Sequence, residues 1–269
     1  MNPFDKLKGI NAPREIKIVK ESTLERLIKL NRELESEITI PDDWYWEIHE
    51  FRLKLYDQIS KRAGDYDVQD ISNLTTALSF EESKNQRTRG AYIGGLLSLL
   101  TEKNHKLNKE TTLEIDLNGR EFPYLLFACK YVDTLKISNV KGDYVGSNIA
   151  RNNGNAGAIF FDNMEGNWVG SGIAYDGNAG IISFNDLKGN WVGSNIARNN
   201  GNARVISFNN GKGDNVGSRI ARDNGKCNIL DKEGKYSSKI KQFIEMQRQK
   251  YQNINELNKD IQEFIGSLK

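Results

Sequence analysis

The 269-residue chain exceeds the usual size of a single domain, so two or three units are expected. It is 38% hydrophobic and 28% charged with a formal net charge of +2, which allows a real core and excludes a global pull toward nucleic acid or anionic lipid. Its two cysteines, Cys129 and Cys227, lack a Cys-x-x-Cys spacing and fall in strand-like segments, which fits buried thiols in a reducing compartment.

The opening Met-Asn-Pro-Phe-Asp-Lys lacks the apolar run of a secretory signal. The longest apolar stretch, 91–100, is about half of the ~20 residues that a membrane span needs. A cytoplasmic chain without a membrane partner is the expectation.

From about 1 to 105 the periodicity is helical. Ser22 with Glu25 forms a capping-box pattern, and Leu24, Leu27, Ile28, Leu34 and Ile38 recur at three and four residues. Pro41 breaks the run and Asp42 and Asp43 suit the start of a second helix. Its stripe is Ile48, Phe51, Leu55 and Ile59, with Trp44 and Trp46 at its mouth and Gly64 as its stop. Two shorter helices are predicted at about 68–83 and 88–103. Gly90 and Gly94 in the last of these suit close packing rather than membrane dimerisation.

At about 112 the period changes to two, with Leu113, Ile115 and Leu117 alternating with polar residues. Then Gly-(Asp/Asn)-x-Val-Gly-Ser-x-Ile-Ala appears four times, at 142–150, 166–174, 189–197 and 213–221. A fixed period of this length marks a repeat architecture. After each word comes an apolar pair: Ile159 with Phe161, Ile182 with Phe184, Ile206 with Phe208, and one step earlier Leu135 with Ile137. Each unit is therefore expected to offer two short strands joined by Gly/Asn-rich corners such as Asn152-Asn153-Gly154-Asn155.

One unit cannot bury its own apolar face, but units stacked in parallel at ~4.8 Å build a continuous core. The predicted fold is α+β: a right-handed parallel β-helix, a single-stranded solenoid of about five coils of about 24 residues. A helical N-terminal domain (1–111) and a C-terminal amphipathic helix (237–269) flank the repeat domain (112–236) and are placed to cap its open edges. The last segment carries Ile240, Phe243, Ile254, Leu257, Ile261, Phe264 and Leu268 at heptad-like spacing. It suits packing along the repeat, self-association or docking on a protein partner.

Gly-Asp-Tyr-Val-Gly-Ser (142–147), Gly-Asn-Trp-Val-Gly-Ser (166–171 and 189–194) and Gly-Asp-Asn-Val-Gly-Ser (213–218) resemble the repeats of the glycine-rich GXGXG β-helix. That module closes the large chain of glutamate synthase and by itself makes up one of the polypeptides of formylmethanofuran dehydrogenase. The resemblance covers about 118–236 and implies a structural spacer, with chemistry residing in other domains or subunits. The units here are longer, and Asn-Asn-Gly stands where the family often has paired glycines.

The columns that vary hold the candidate binding residues. The residue before the repeat Val reads Tyr144, Trp168, Trp191, Asn215, an outward aromatic ladder that suits a platform for a sugar, a base or a partner, or simple self-stacking. The residue after the repeat Ala reads Arg151, Tyr175, Arg198, Arg222, with Arg204 and Arg219 nearby. This is a basic stripe suited to phosphate, although Asp176, Asp214 and Asp223 interleave with it. Calcium solenoids repeat every nine residues with a regular Asp, and no such pattern occurs. His49 and His105 lack ligand spacing. No acid pair, nucleophile elbow, P-loop or dinucleotide fingerprint is present, so no catalytic residue, metal or cofactor is expected.

The expected function is a non-enzymatic scaffold or adaptor for a protein partner or for self-assembly. The alternatives are an accessory GXGXG-type subunit of a multi-subunit oxidoreductase or amidotransferase, and an RNA- or ribosome-binding factor. The last would use Arg198, Arg204, Arg219, Arg222 and the basic segment 235–250.

Overall fold

A computed structural model describes residues 21–38 and 48–231, together with position 263. The second-helix start at Asp42 and Asp43, the tryptophans 44 and 46, and the helix predicted at 237–269 lie outside the described residues, apart from that single position.

Helix α1 (Thr23–Glu37) begins with a complete capping box: the Ser22 side chain accepts from Glu25 N, and the Glu25 carboxylate accepts from Ser22 N. Helices α2 (Ile48–Arg62), α3 (Val68–Leu78) and α4 (Gln86–Lys106) follow. Asp67 and Asp70 cap α3 in the same reciprocal way. Gly64, two residues beyond α2, takes φ +66°, so the predicted stop is where the backbone reverses. Helix α4 is longer than the sequence suggested and its middle is buried all round, which blurs the amphipathic signal that sets a predicted boundary.

The helices do not stand apart from the repeat. Leu27, Leu34, Leu55, Ile59, Ile71, Leu74, Ile93 and Leu96 belong to the same continuous cluster as the solenoid interior. Helix α4 approaches the first coil through its glycines. A Cβ at Gly90 would lie 2.0 Å from Tyr124 O, and one at Gly94 would lie 2.9 Å from Phe127 O. The Gly-x-x-x-Gly thus seats a helix on backbone of the solenoid.

Among the described residues the solenoid has one sheet of six parallel strands in sequence order: β1 (Thr112–Glu121), β2 (Tyr131–Lys141), β3 (Asn155–Glu165), β4 (Asn178–Lys188), β5 (Asn202–Lys212) and β6 (Lys226–Asp231). Register places like on like. Leu135 pairs Ile159, Ile159 pairs Ile182 and Ile182 pairs Ile206. Phe161, Phe184 and Phe208 stack inside with centroids 5.1 and 4.8 Å apart. Each such ring stabilises the fold by about 1.5–3 kcal/mol through burial. On the alternate face Ala158, Ile181 and Val205 are also fully buried. Both faces being covered explains why β3–β5 read as near-continuous apolar runs.

The expectation of two strands per coil is corrected. Each coil has one long strand, and the repeated word forms a run of turns. Within the word every second residue has a left-handed backbone: Tyr144 (φ 61°), Gly146 (63°), Asn148 (60°) and Ala150 (55°). Their N–H groups alternate in direction. Tyr144 N donates forward to Asn167 O, Gly146 N back to Leu125 O, Asn148 N forward to Ser171 O and Ala150 N back to Cys129 O, all at 2.8 Å. The words at 142–150, 166–174 and 189–197 all follow this pattern, so each of these coils is bonded to both neighbours even where it has no strand. The glycine of Val-Gly-Ser has a second reason: a Cβ at Gly146, Gly170 or Gly193 would lie 2.5 Å from the ring of Phe161, Phe184 or Phe208.

Candidate functional site

The left-handed backbone at the residue before each Val turns that side chain outward while Val145, Val169 and Val192 go into the core. The outward rings form a ladder. Tyr144 and Trp168 lie 6.1 Å apart at 2°, and Trp168 and Trp191 lie 5.0 Å apart at 4°. Tyr124 extends it by one ring, 4.9 Å from Tyr144 and 6° from parallel. That residue was not legible in sequence because the first coil lacks the repeated word. Tyr144, Trp168 and Trp191 are half-buried, and burial raises the Tyr144 hydroxyl above its ordinary pKa, with the neighbouring Tyr124 adding to the rise.

Cations sit at both ends of the ladder. Arg87 lies 5.4 Å from the Tyr124 centroid and Arg219 lies 5.1 Å from the Trp191 centroid. The ring faces are thus turned to one another and to guanidinium groups. What the ladder offers a partner is a line of ring edges, not the open faces of a platform.

The second column behaves less uniformly. Arg151 is buried, and Arg52 of α2 donates to its carbonyl at 3.0 Å. Its guanidinium lies 4.6 Å from the Tyr175 ring, with Arg198 on the same ring at 5.8 Å. Arg198 is half-buried and paired with Asp223, whose Oδ2 accepts from Nε at 3.0 Å. Arg219 and Arg222 are exposed, and Arg204 is intermediate. The stripe is partly self-neutralised, as the interleaved aspartates suggest.

Between the two columns lies a cavity of about 380 Å³. It brings together Tyr144 and Trp168 of the ladder, Ser147 and Ser171, Asn148 and Asn195, Gly172, Arg198 and Arg219. Ser171 Oγ lies 3.0 Å from Ser194 Oγ, and Ser147 Oγ donates to Trp168 O. Arg151, Tyr175, Trp191 and Arg222 do not line it.

The remaining reactive groups lie elsewhere. His105 Nε2 and Asp133 Oδ1 are 2.7 Å apart at the end of α4. His49 is exposed, with Nδ1 3.5 Å from Arg52. Cys129 is buried against Ser98, 3.3 Å away, and burial pushes its thiol up to about 12, the wrong direction for a nucleophile. Cys227, expected to be buried, is only half so; it lies on β6, the last strand among the described residues. Among the described residues no cluster of His, Cys, Asp and Glu is built to hold a metal ion, and no helix is long and apolar enough to cross a membrane.

No family model, curated protein or solved structure matches the chain significantly. What the structure gives is a parallel β-solenoid of about five turns carrying an aromatic ladder.

Proposed function

We propose that the chain is a scaffold or adaptor that binds a protein partner along the ladder side of its solenoid. One observation carries this: half-exposed Tyr144, Trp168 and Trp191 run in line beside Arg198, Arg219 and Arg222. Tyr, Trp and Arg are the side chains that dominate protein–protein binding energy. The solenoid supplies rigidity, since the coils that carry the ladder rings Tyr144, Trp168 and Trp191 are hydrogen-bonded to the coils on either side, so a partner meets a surface already organised.

The same observations favour protein over RNA. Of the basic column, Arg151 is buried and Arg198 is paired with Asp223, which leaves few exposed charges to neutralise phosphates. The likeness of the glycine words to the GXGXG module supports a right-handed coil and a spacer role within a larger assembly. In that reading the partner carries the chemistry.

The test compares capture by the full chain with capture by Arg219→Glu/Arg222→Glu, both exposed and removed from the core. A partner held by the wild type and released by the double variant supports the reading. A flavin- or metal-bearing partner would select the accessory role in a larger enzyme, and a nuclease-sensitive partner would select RNA. Identical capture by both proteins, with light scattering showing bare monomer, would overturn it.

A further inference from the structure

The strands of the solenoid have a second apolar side. In β3–β5 the residues that alternate with the inward Ile159, Ile182 and Ile206 are Ala158 with Phe160, Ile181 with Ser183, and Val205 with Ser207. Ala158, Ile181 and Val205 are fully buried, and Phe160 is only 6% exposed. None of these four belongs to the continuous cluster that fills the coil, so they point away from it and are covered from outside. On β1 and β2 the same two columns hold Thr112 with Glu114 and Thr134 with Lys136, and none of these is buried. The apolar patch thus lies beyond the strands on which α3 and α4 chiefly pack, which are β1 and β2.

The covered face continues onto β6, the strand from which the chain runs on. There Asp231, in register with Ser207, is buried and accepts from Ser207 Oγ at 3.3 Å. Beyond it, Ile254, Leu257, Ile261, Phe264 and Leu268 recur at three and four residues, which on a 3.6-residue period puts them on one side. Glu263 is helical and exposed, and the same period sets it on the other side. A helix over 254–268 is about 21 Å long, enough to cross four or five strands at ~4.8 Å each. Residues 1–20 and 39–47, by contrast, adjoin α1 and α2, whose packing is mainly against α3 and α4. We propose that the outer face of β3–β6 seats the chain's own segment 237–269, with the apolar stripe of that segment turned to Ala158, Phe160, Ile181 and Val205. The inference goes beyond the ladder interface: it gives the strand side of the coil to this chain itself and leaves the ladder side to the partner.

Photo-crosslinking of the full chain carrying Phe160→p-benzoylphenylalanine tests this. At high dilution the expected product keeps the monomer mass, and its cross-linked peptides map to 237–269. Cross-links to 1–20 or 39–47 alone, a cross-linked dimer, or no cross-link at all would overturn the proposal. A second measurement uses Ser207→Cys with Cys227→Ala, which places a small thiol on the covered face while Cys129 stays buried. Maleimide labelling of that thiol is expected to be slow, and to quicken by about tenfold or more when Leu257→Asp and Ile261→Asp are added. Circular dichroism checks that the strands persist in the aspartate variant. An unchanged labelling rate overturns the proposal even should the Phe160 variant not fold, and the cross-link decides should the aspartate variant not fold. Arg219→Glu/Arg222→Glu is expected to leave both readouts unchanged, so this seat and the partner interface fail separately.

Discussion

Trp168 and Trp191 stack with ring centroids 5.0 Å apart and planes 4° from parallel, although both hold a left-handed backbone at φ 61° and 60°. That conformation costs an L-residue about 1–2 kcal/mol. Stacking, core burial of the following Val and the inter-coil bond from each indole residue's N–H together outweigh it.

This balance separates two truncations at one site. Trp168→Ala loses the ring between Tyr144 and Trp191 and keeps the strained φ, so a loss of about 3 kcal/mol is expected. Trp168→Gly loses the same ring without the strain and is expected to be about 1 kcal/mol more stable than the alanine variant. Urea unfolding of the two proteins side by side reads the difference; an alanine variant equal to or better than glycine would refute the strain argument.

Glu35 joins α1 to the loop before α4. Its Oε1 accepts from Arg89 Nε at 2.7 Å, and its Oε2 accepts from Ser83 Oγ and Lys84 N at 3.0 Å. Arg89 also donates to the carbonyls of Leu78 and Glu81. Both side chains are buried, so Glu35→Ala strands a charge and is expected to cost about 3–5 kcal/mol. The exposed Lys61–Asp57 pair serves as control: Asp57→Ala should move the midpoint hardly at all, by less than about 1 kcal/mol.

Burial holds the carboxyls of Glu110 and Asp133 above their ordinary pKa, and the Asp133 charge raises Glu110 further. A raised folded-state pKa gives stability that is present below the unfolded value and is lost as pH rises through the folded one. Glu110→Gln is therefore expected to be at least as stable as wild type at pH 7, with the advantage fading below about pH 4, where both forms are neutral. Thermal melts across that range check the sign; an advantage that grows on acidification contradicts it.

Where successive coils touch backbone to backbone, a single methyl is too much. A Cβ at Gly201 would lie 1.9 Å from Ala174 O, whereas one at Gly119 meets nothing within 4 Å. Gly201→Ala is expected to cost about 3 kcal/mol or more, because a carbonyl held between coils cannot repack. Gly119→Ala, at φ +81°, should cost only the left-handed penalty of about 1 kcal/mol. Equal midpoints for the two variants would count against the close approach of the coils.

The stacking of like on like was legible because columns such as Ile159–Ile182–Ile206 repeat at the coil period, and such a column has only one economical use. The conformation of the word was not. Val145 and Ile149 alternate with other residues much as in a strand, and nothing local announces a left-handed backbone at Tyr144 or Trp168, where intrinsic preference opposes it; neighbouring coils decide. The ladder itself could be read from the sequence, but its use of ring faces could not, since this depends on the coil spacing. The cavity lined by Gly172 was not read from the sequence, because the hydrogen bonds from Arg151 to Asn148 and from Arg198 to Asn195 run between columns that were taken one at a time. Cys227 is more exposed than expected because it stands on β6, which among the described residues has a paired neighbour on one side only, and periodicity within the sequence does not reveal that.

The alternating direction of the inter-coil bonds has an evolutionary consequence. A coil that bonds both up and down through the same word is interchangeable with its neighbours, so whole repeats can be duplicated or lost without disturbing register. Excision of 166–188, for instance, would join one word to the next and leave a shorter rod of the same cross-section. That rod would lack Gly172 and Tyr175 and hence the opening in its side. The fold itself thus permits a change of length, at the cost of that opening when the coil carrying Gly172 is the one removed.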